Sequence, residues 1–208
     1  MELNFSDLAT TDYGNVLSRE HFFDLSIRPL WQHMKRISGP AYPVQLAPGD
    51  NLMLHSAIYS APEGSIVVVD GVDCQYAVAG GNVCAVAKER GIQGFIIDGV
   101  IRDLGEITKM AFPVYAKGVF PVPGKKQQFF EPGMPIVCGG VRVCAGDMIV
   151  ADMEGIVAIP QSRANEVYQM AKEKLDAERG MQLAEWEANH RIKIQKALEV
   201  AQKRNHSV

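Results

Sequence analysis

Arg102 and Asp103 are adjacent in the chain, and Glu106 follows one helical turn later. A guanidinium offers a planar fork of donors to a carboxylate or a developing oxyanion, and a carboxylate offers hard oxygen to magnesium or manganese. Neighbouring side chains can diverge around one ligand from a turn or a helix start. On an ordinary loop the same pair is a surface ion pair of small energetic value. Gly81 precedes Arg102 by twenty intervening residues and opens the run Gly81-Asn82-Val83-Cys84. A helix starting there presents unpaired backbone N–H groups and a partial positive charge, which suit a carboxylate.

The elements around these residues predict how they meet. "SIVVVDG" is a continuous β-branched run, expected as a strand covered on both faces and ending at Asp70. A helix from Gly80 or Gly81, closed by Gly91, leads to a second strand, "GFIID", ending at Asp98. Strand, helix and strand at this spacing predict a parallel crossover, so the class is α/β and ligands belong beyond the carboxyl ends of the strands. Asp50 can cap a helix through "NLMLHSAIYSA", where His55 falls in an apolar pattern and reads as a packing histidine. From Phe112 short strand candidates predict a β-rich second half, with Asp147 and Asp152 as turn residues.

Residues 161–208 form a separate helical extension of one long or two consecutive helices, weak at Gly180, after a domain of residues 1–160. Its apolar residues, Trp186, Ile192 and Leu198 among them, predict packing on the same or another subunit.

Composition removes several function classes. The 208 residues are 47% hydrophobic, enough for a real core, and 21 basic against 24 acidic residues leave a net charge of -3. Neither direct nucleic-acid binding nor an anionic membrane surface is expected of that balance. No apolar run approaches a membrane span and "MELNFSDLATTDYG" does not resemble a signal peptide, so a cytoplasmic location is expected. Cys74, Cys84, Cys138 and Cys144 lack zinc-ligand spacing and read as reduced thiols. "GGNV" is not a dinucleotide loop, Gly124-Lys125-Lys126 lacks the rest of a P-loop, and no G-x-S-x-G element is present.

Gly81, Arg102-Asp103 and Glu106 together resemble the G-x20-R-D-x2-E/D signature of the RraA-like family, which includes the divalent-metal class II pyruvate aldolases. The resemblance extends through "GSIVVVDG", "AKERGIQGFIIDGVIRD", "FPVYAKG" and "VCGGVRVCAGDMIVADMEGIVAIP" and covers about residues 27–160. It implies a swivelling β/β/α fold, commonly a homotrimer or a homohexamer of two trimers. It also implies cleavage of a 4-hydroxy-2-oxo acid to pyruvate through an enolate, with oxaloacetate decarboxylation as a companion activity.

On that resemblance Asp103 carries Mg2+ or Mn2+, Arg102 stabilises the enolate oxygen, and Gly81, Asn82, Val83 and Cys84 receive a keto-acid carboxylate. Asp98 and Glu106 either support the metal site or hold the loop. Aldolase members usually carry Asp or Glu where this chain has Asn82, and an amide cannot act as a general base. A non-catalytic regulator that binds ribonuclease E, also found in this family, is the alternative, as is a related metal-enolate enzyme acting on another keto or sugar acid.

Overall fold

The computed structural model describes residues 3–205. In chain order the helices are α1 (Thr10–Gly14), α2 (Leu52–Ser60), α3 (Gly81–Glu89), α4 (Leu104–Met110), α5 (Ala164–Arg179) and α6 (Leu183–Asn205). The strands are β1 (Arg28–Pro29), β2 (Ile37–Gln45), β3 (Ile66–Asp70), β4 (Gly94–Ile101), β5 (Val114–Val119), β6 (Ile136–Cys138), β7 (Val141–Val143), β8 (Met148–Ala151) and β9 (Ile156–Ile159). The described residues divide into two compact units between Ala171 and Lys172.

The first unit is built on a seven-stranded sheet in the order β1-β5-β4-β3-β2-β8-β9. Strands β2, β3, β4 and β5 run parallel, as the α/β reading expects, and β1, β8 and β9 add to its flanks antiparallel. β2 changes partner along its length, pairing β8 through Ile37–Pro40 and β3 through Ala41–Gln45.

Alternation along the central strands divides the core in two. Val67, Val69, Phe95 and Ile97 face a cluster with Leu54 and Ile58 of α2, Cys84 and Ala87 of α3, and Ile107 of α4. Ile66, Val68, Ile96 and Tyr115 face the opposite cluster, with the β6–β7 hairpin and residues of β8 and β9. The helices therefore cover one face and the β-rich second half covers the other. Burying a side chain such as Ile97, fully enclosed here, contributes about 1.5–3 kcal/mol, so the sheet interior is the stable platform from which the loops project.

One expected boundary is wrong. β4 does not end at Asp98 but continues to Ile101, with its pairing to β5 shifted between Ile97 and Val100. Asp98 is thus an interior strand residue, and Arg102 is the first residue past the strand.

The first half of α5 buries Val167, Tyr168 and Ala171, with Tyr168 edge-on to Phe5 at 5.3 Å. In the second unit α5 ends at Arg179 and α6 begins at Leu183, so the tail is two helices with Gly180 in the break. The Trp186 and His190 rings stack at 4.6 Å on α6, and Leu183, Ile192 and Leu198 are exposed. Among the described residues no helix is long and apolar enough to cross a membrane. All four cysteines are free thiols.

Candidate active site

The carboxyl end of β4 and the starts of α2 and α3 surround a cleft of about 200 Å3, lined by Asn51, His55, Asn82, Arg102, Asp103 and Lys126 with residues 77–80. This is below the roughly 300–1,000 Å3 of sites for drug-sized ligands and suits a small metabolite.

Backbone bonds stitch the cleft together. Val78 N–H donates to Val100 C=O at 3.0 Å, and Arg102 N–H donates to Ala79 C=O at 3.0 Å. The segment before α3 is thereby held alongside the end of β4. Asp103 is the N-cap of α4 in the left-handed region, φ 59°, a conformation that costs less for Asp than for most residues. Its carbonyl still accepts the Glu106 and Ile107 N–H groups, while its side chain turns back to α3. Asp103 Oδ2 accepts the Gly81 N–H at 3.1 Å and lies 3.3 Å from Arg102 Nε.

The Arg102–Asp103 pair is therefore no simple surface ion pair. Both groups stand at the N-terminus of α3, and the missing Cβ atoms of Gly80 and Gly81 make the approach possible. A methyl on Gly80 would lie 2.5 Å from Asp103 Oδ2 and 3.2 Å from Arg102 Nε. A methyl on Gly81 would collide with the Glu106 carboxylate. Glu106 thus lies against the start of α3, where a negative charge is favourable, but it does not line the cleft.

The four residues expected to receive a carboxylate are not equivalent. The Gly81 N–H is already given to Asp103, and the Cys84 N–H donates to Gly80 C=O at 3.0 Å. Asn82 and Val83 carry the helix-start N–H groups left for a ligand. The Cys84 side chain is fully buried, and burial, with Asp103 nearby, pushes its thiol up to about 12. It is a core group and no nucleophile.

Asp98 is not brought to this cleft. Side chains alternate along β4, so Asp98 projects on the face of Ile96, away from Ile97. It forms an ion pair with Lys117 of β5 and accepts the Gly139 N–H at 2.8 Å, which ties the β6–β7 turn to the sheet. Lys117 is raised above its ordinary value by its own side-chain hydrogen bond to Asp98. Asp70, half-buried, is raised by desolvation, with the Asp98 charge adding to it.

Three cleft residues are not assigned to the site by the sequence: Asn51, Lys126 and His55, which reads there as a packing histidine. The Asn51 N–H donates to Lys125 C=O at 2.8 Å and its Nδ2 to Gly124 C=O at 3.3 Å, so the loop carrying Lys126 is fastened to the start of α2. Asp50 completes the fastening by accepting the Gln127 N–H at 2.6 Å and the Leu52 N–H at 2.8 Å. His55 lies one turn along α2 from Asn51, half-buried against the cleft. Burial holds its pKa below the ordinary histidine value, and the Lys126 charge acts in the same sense. The i, i+4 spacing of Asn51 and His55 was the available signal.

In charge terms, Arg102, Lys126 and the N-terminus of α3 converge on the cleft, with Asp103 as its carboxylate. The set can hold an anionic ligand and a cation together. Among the described residues no group of three or more His, Cys, Asp or Glu side chains is gathered for a metal ion.

The chain's similarities to known proteins bear on its family and fold. A family model described as "RraA-like: Aldolase/RraA" matches residues 5–158. A protein of Halalkalibacterium halodurans named "Putative 4-hydroxy-4-methyl-2-oxoglutarate aldolase" is 37% identical over 171 residues, 82% of this chain and 81% of the relative. The solved structure of an uncharacterized protein from Pseudomonas syringae pv. tomato is 28% identical with a TM-score of 0.73, covering 83% of this chain and 84% of the other. The RNA-processing inhibitor RraA from Thermus thermophilis, at 23% identity, shares the fold with a TM-score of 0.67, over 74% of this chain and 93% of that one. From the matched span, the sheet topology and the Gly81, Arg102 and Asp103 constellation, the chain belongs to the RraA-like family and carries its fold.

Proposed function

We propose that this chain is a divalent-metal-dependent carbon–carbon lyase that cleaves a 4-hydroxy-2-oxo acid to pyruvate and a second carbonyl compound, with oxaloacetate decarboxylation as a side activity. The observation that carries the reading is the placement of Arg102 and Asp103 on a small cleft against the start of α3. The name of the Halalkalibacterium halodurans relative points the same way.

The donor set fits a hard cation. Asp103 is about one-third exposed, and its contacts to Gly81 and Arg102 both use Oδ2, so Oδ1 is not committed to either. Magnesium typically takes one or two protein carboxylates and keeps several waters, so a single Asp suffices. Asp103 would hold the ion, and a bound Mg2+ or Mn2+ would supply electron withdrawal at the substrate's keto oxygen.

The remaining work falls to the chain itself. The Asn82 and Val83 N–H groups receive the C1 carboxylate at the positive end of α3. Arg102, held by Asp103 and by its backbone bond to Ala79, presents the remaining guanidinium donors to the oxygen that gains negative charge as the C3–C4 bond breaks. Lys126 adds positive charge on the opposite wall for a second substrate carboxylate. Assembly as a homotrimer or homohexamer goes with this reading, and light scattering on the full chain and on a chain ending at Ala171 reads it.

The test is pyruvate release coupled to NADH oxidation, with 4-hydroxy-4-methyl-2-oxoglutarate, 4-carboxy-4-hydroxy-2-oxoadipate and oxaloacetate, with magnesium or manganese and with chelator. Turnover that vanishes on chelation and in Asp103→Ala is expected. Turnover indifferent to both overturns the mechanism, and no turnover with binding to ribonuclease E favours the regulator.

A further inference from the structure

We propose that His55 is the proton-transferring group of this cleft and stands in for the acidic side chain that Asn82 does not supply; the assignment rests on the lyase reading above. An enolate-forming cleavage needs a group that removes the C4 hydroxyl proton and another, or the same one, that protonates C3 afterwards. Asn82 cannot do either, because an amide has no proton acceptor of useful basicity. Of the side chains on the cleft, Arg102 and Lys126 are cations and Asp103 is assigned to the ion, with its other oxygen on Gly81 and Arg102. His55 is the remaining titratable group.

Its placement suits the task. His55 is carried by α2, whose buried Leu54 and Ile58 fix the helix on the core, so the imidazole is set by a rigid element. The ring lines the cleft beside Val78, whose backbone favours the protonated form, and neutral imidazole keeps one nitrogen as a proton acceptor. One turn earlier, Asn51 is almost fully buried, yet its side-chain oxygen has no hydrogen-bond partner within the chain. Asn51 thus stiffens the start of α2 beside the ring, through its bonds to Gly124 and Lys125, rather than offering its oxygen to the cleft.

The charges around the ring come from each neighbouring element. Lys126 on the loop after β5 disfavours the imidazolium, Asp50 before α2 favours it, and Arg102 and Asp103 share the cleft from the end of β4 and the start of α4. Burial and Lys126 outweigh the Val78 backbone and Asp50, so the free imidazole is the resting form at neutral pH.

The step balances without another reactant. The imidazole takes the C4 hydroxyl proton, the oxygen's electron pair forms the new C=O, and the C3–C4 pair becomes the C2–C3 double bond of the enolate. The imidazolium then returns the proton to C3 as the C2 carbonyl reforms, giving pyruvate and neutral His55.

The experiment measures kcat and KM against pH for the wild-type enzyme, His55→Asn, His55→Gln and His55→Ala, the last with and without added imidazole, with calorimetric pyruvate affinity as a second readout. Expected is a kcat loss of about 100-fold or more, with KM and pyruvate affinity within about threefold of wild type, an acid limb present only in the wild type, and rescue of His55→Ala by added imidazole. Should the variants lose their native circular dichroism, the wild-type imidazole shift titration decides, since its midpoint must match the acid limb of kcat/KM. Active variants, or a mismatch, overturn the assignment to His55 alone. A wild type that turns over no keto acid overturns the lyase reading and this assignment with it.

Discussion

Asp103 Oδ2 accepts the Gly81 N–H at 3.1 Å while Arg102 Nε lies 3.3 Å from the same oxygen, so one carboxylate atom binds the start of α3 and orients the guanidinium. The bond closes a short circuit between two residues that stand 22 apart in the sequence. It also explains the glycines: α3 must begin close enough for a backbone N–H to meet a side chain from the β4–α4 junction, and Gly80 leaves the space for Asp103 and Arg102 together.

Gly80→Ala tests that packing. At φ -154° the backbone is extended and accepts alanine without strain, so the effect is steric. The new methyl would displace both Asp103 Oδ2 and Arg102 Nε. A kcat/KM loss of about 100-fold is expected, the cost typical of a misplacement near 1 Å, with the melting temperature little changed. A calorimetric scan and steady-state kinetics read the two together.

In the proposed mechanism Arg102→Ala removes the guanidinium from the developing enolate oxygen, and it should lower kcat by about 100-fold or more. Arg102→Lys keeps the charge but loses the planar fork that Asp103 orients, so it should recover little of the loss. Steady-state rates with oxaloacetate and with an aldol substrate measure both. Equal losses on the two substrates are expected, because in the proposed mechanism both reactions pass through the same enolate.

The parts of this site that were legible from sequence are those where chemistry and chain order coincide. Arg102-Asp103 follows a strand and Gly81 opens a helix, and both assignments rest on local patterns. What was not legible depends on the third dimension. Asp98 seemed to share the strand end with Arg102 because β4 was expected to stop there; the strand continues, and alternation sends Asp98 to the other face. His55 and Lys126 come from elements either side of the motif, and they meet only because Asn51 and Asp50 fasten residues 124–128 to α2. No single periodicity carries that relation.

Asp152 gives a pH prediction. It sits in the β8–β9 turn and is buried, and Thr10 donates to it through both N–H at 2.9 Å and Oγ1 at 2.6 Å, with Arg36 Nε at 3.2 Å. Burial pushes its carboxyl upward, but the Thr10 and Glu154 hydrogen bonds and Arg36 outweigh that and hold it below the ordinary value. A carboxylate depressed in the fold contributes stability that is complete above its unfolded pKa, about 3.9, and is lost as pH falls through the folded one. Denaturant midpoints measured between pH 6 and pH 2 should therefore fall below about pH 4, and Asp152→Asn should flatten that part of the curve. At neutral pH the variant should lose about 1.5–3 kcal/mol, as for a hydrogen bond to a charged group.

Asp98 and Lys117 separate support from catalysis. Their ion pair and the Gly139 bond hold the β6–β7 turn on the face opposite the cleft, in a groove lined also by Asp24 and Arg19. Asp98→Asn keeps the shape and an acceptor for Gly139 but removes the charge that Lys117 answers. Because Lys117 is about one-third exposed, solvent screens part of that loss, and about 1 kcal/mol is expected. Its kcat and KM should stay within about twofold of wild type, in contrast to the 100-fold expected of Arg102→Ala. A fall in kcat comparable to that of Arg102→Ala, at unchanged stability, would mean that Asp98 acts on the chemistry from across the sheet.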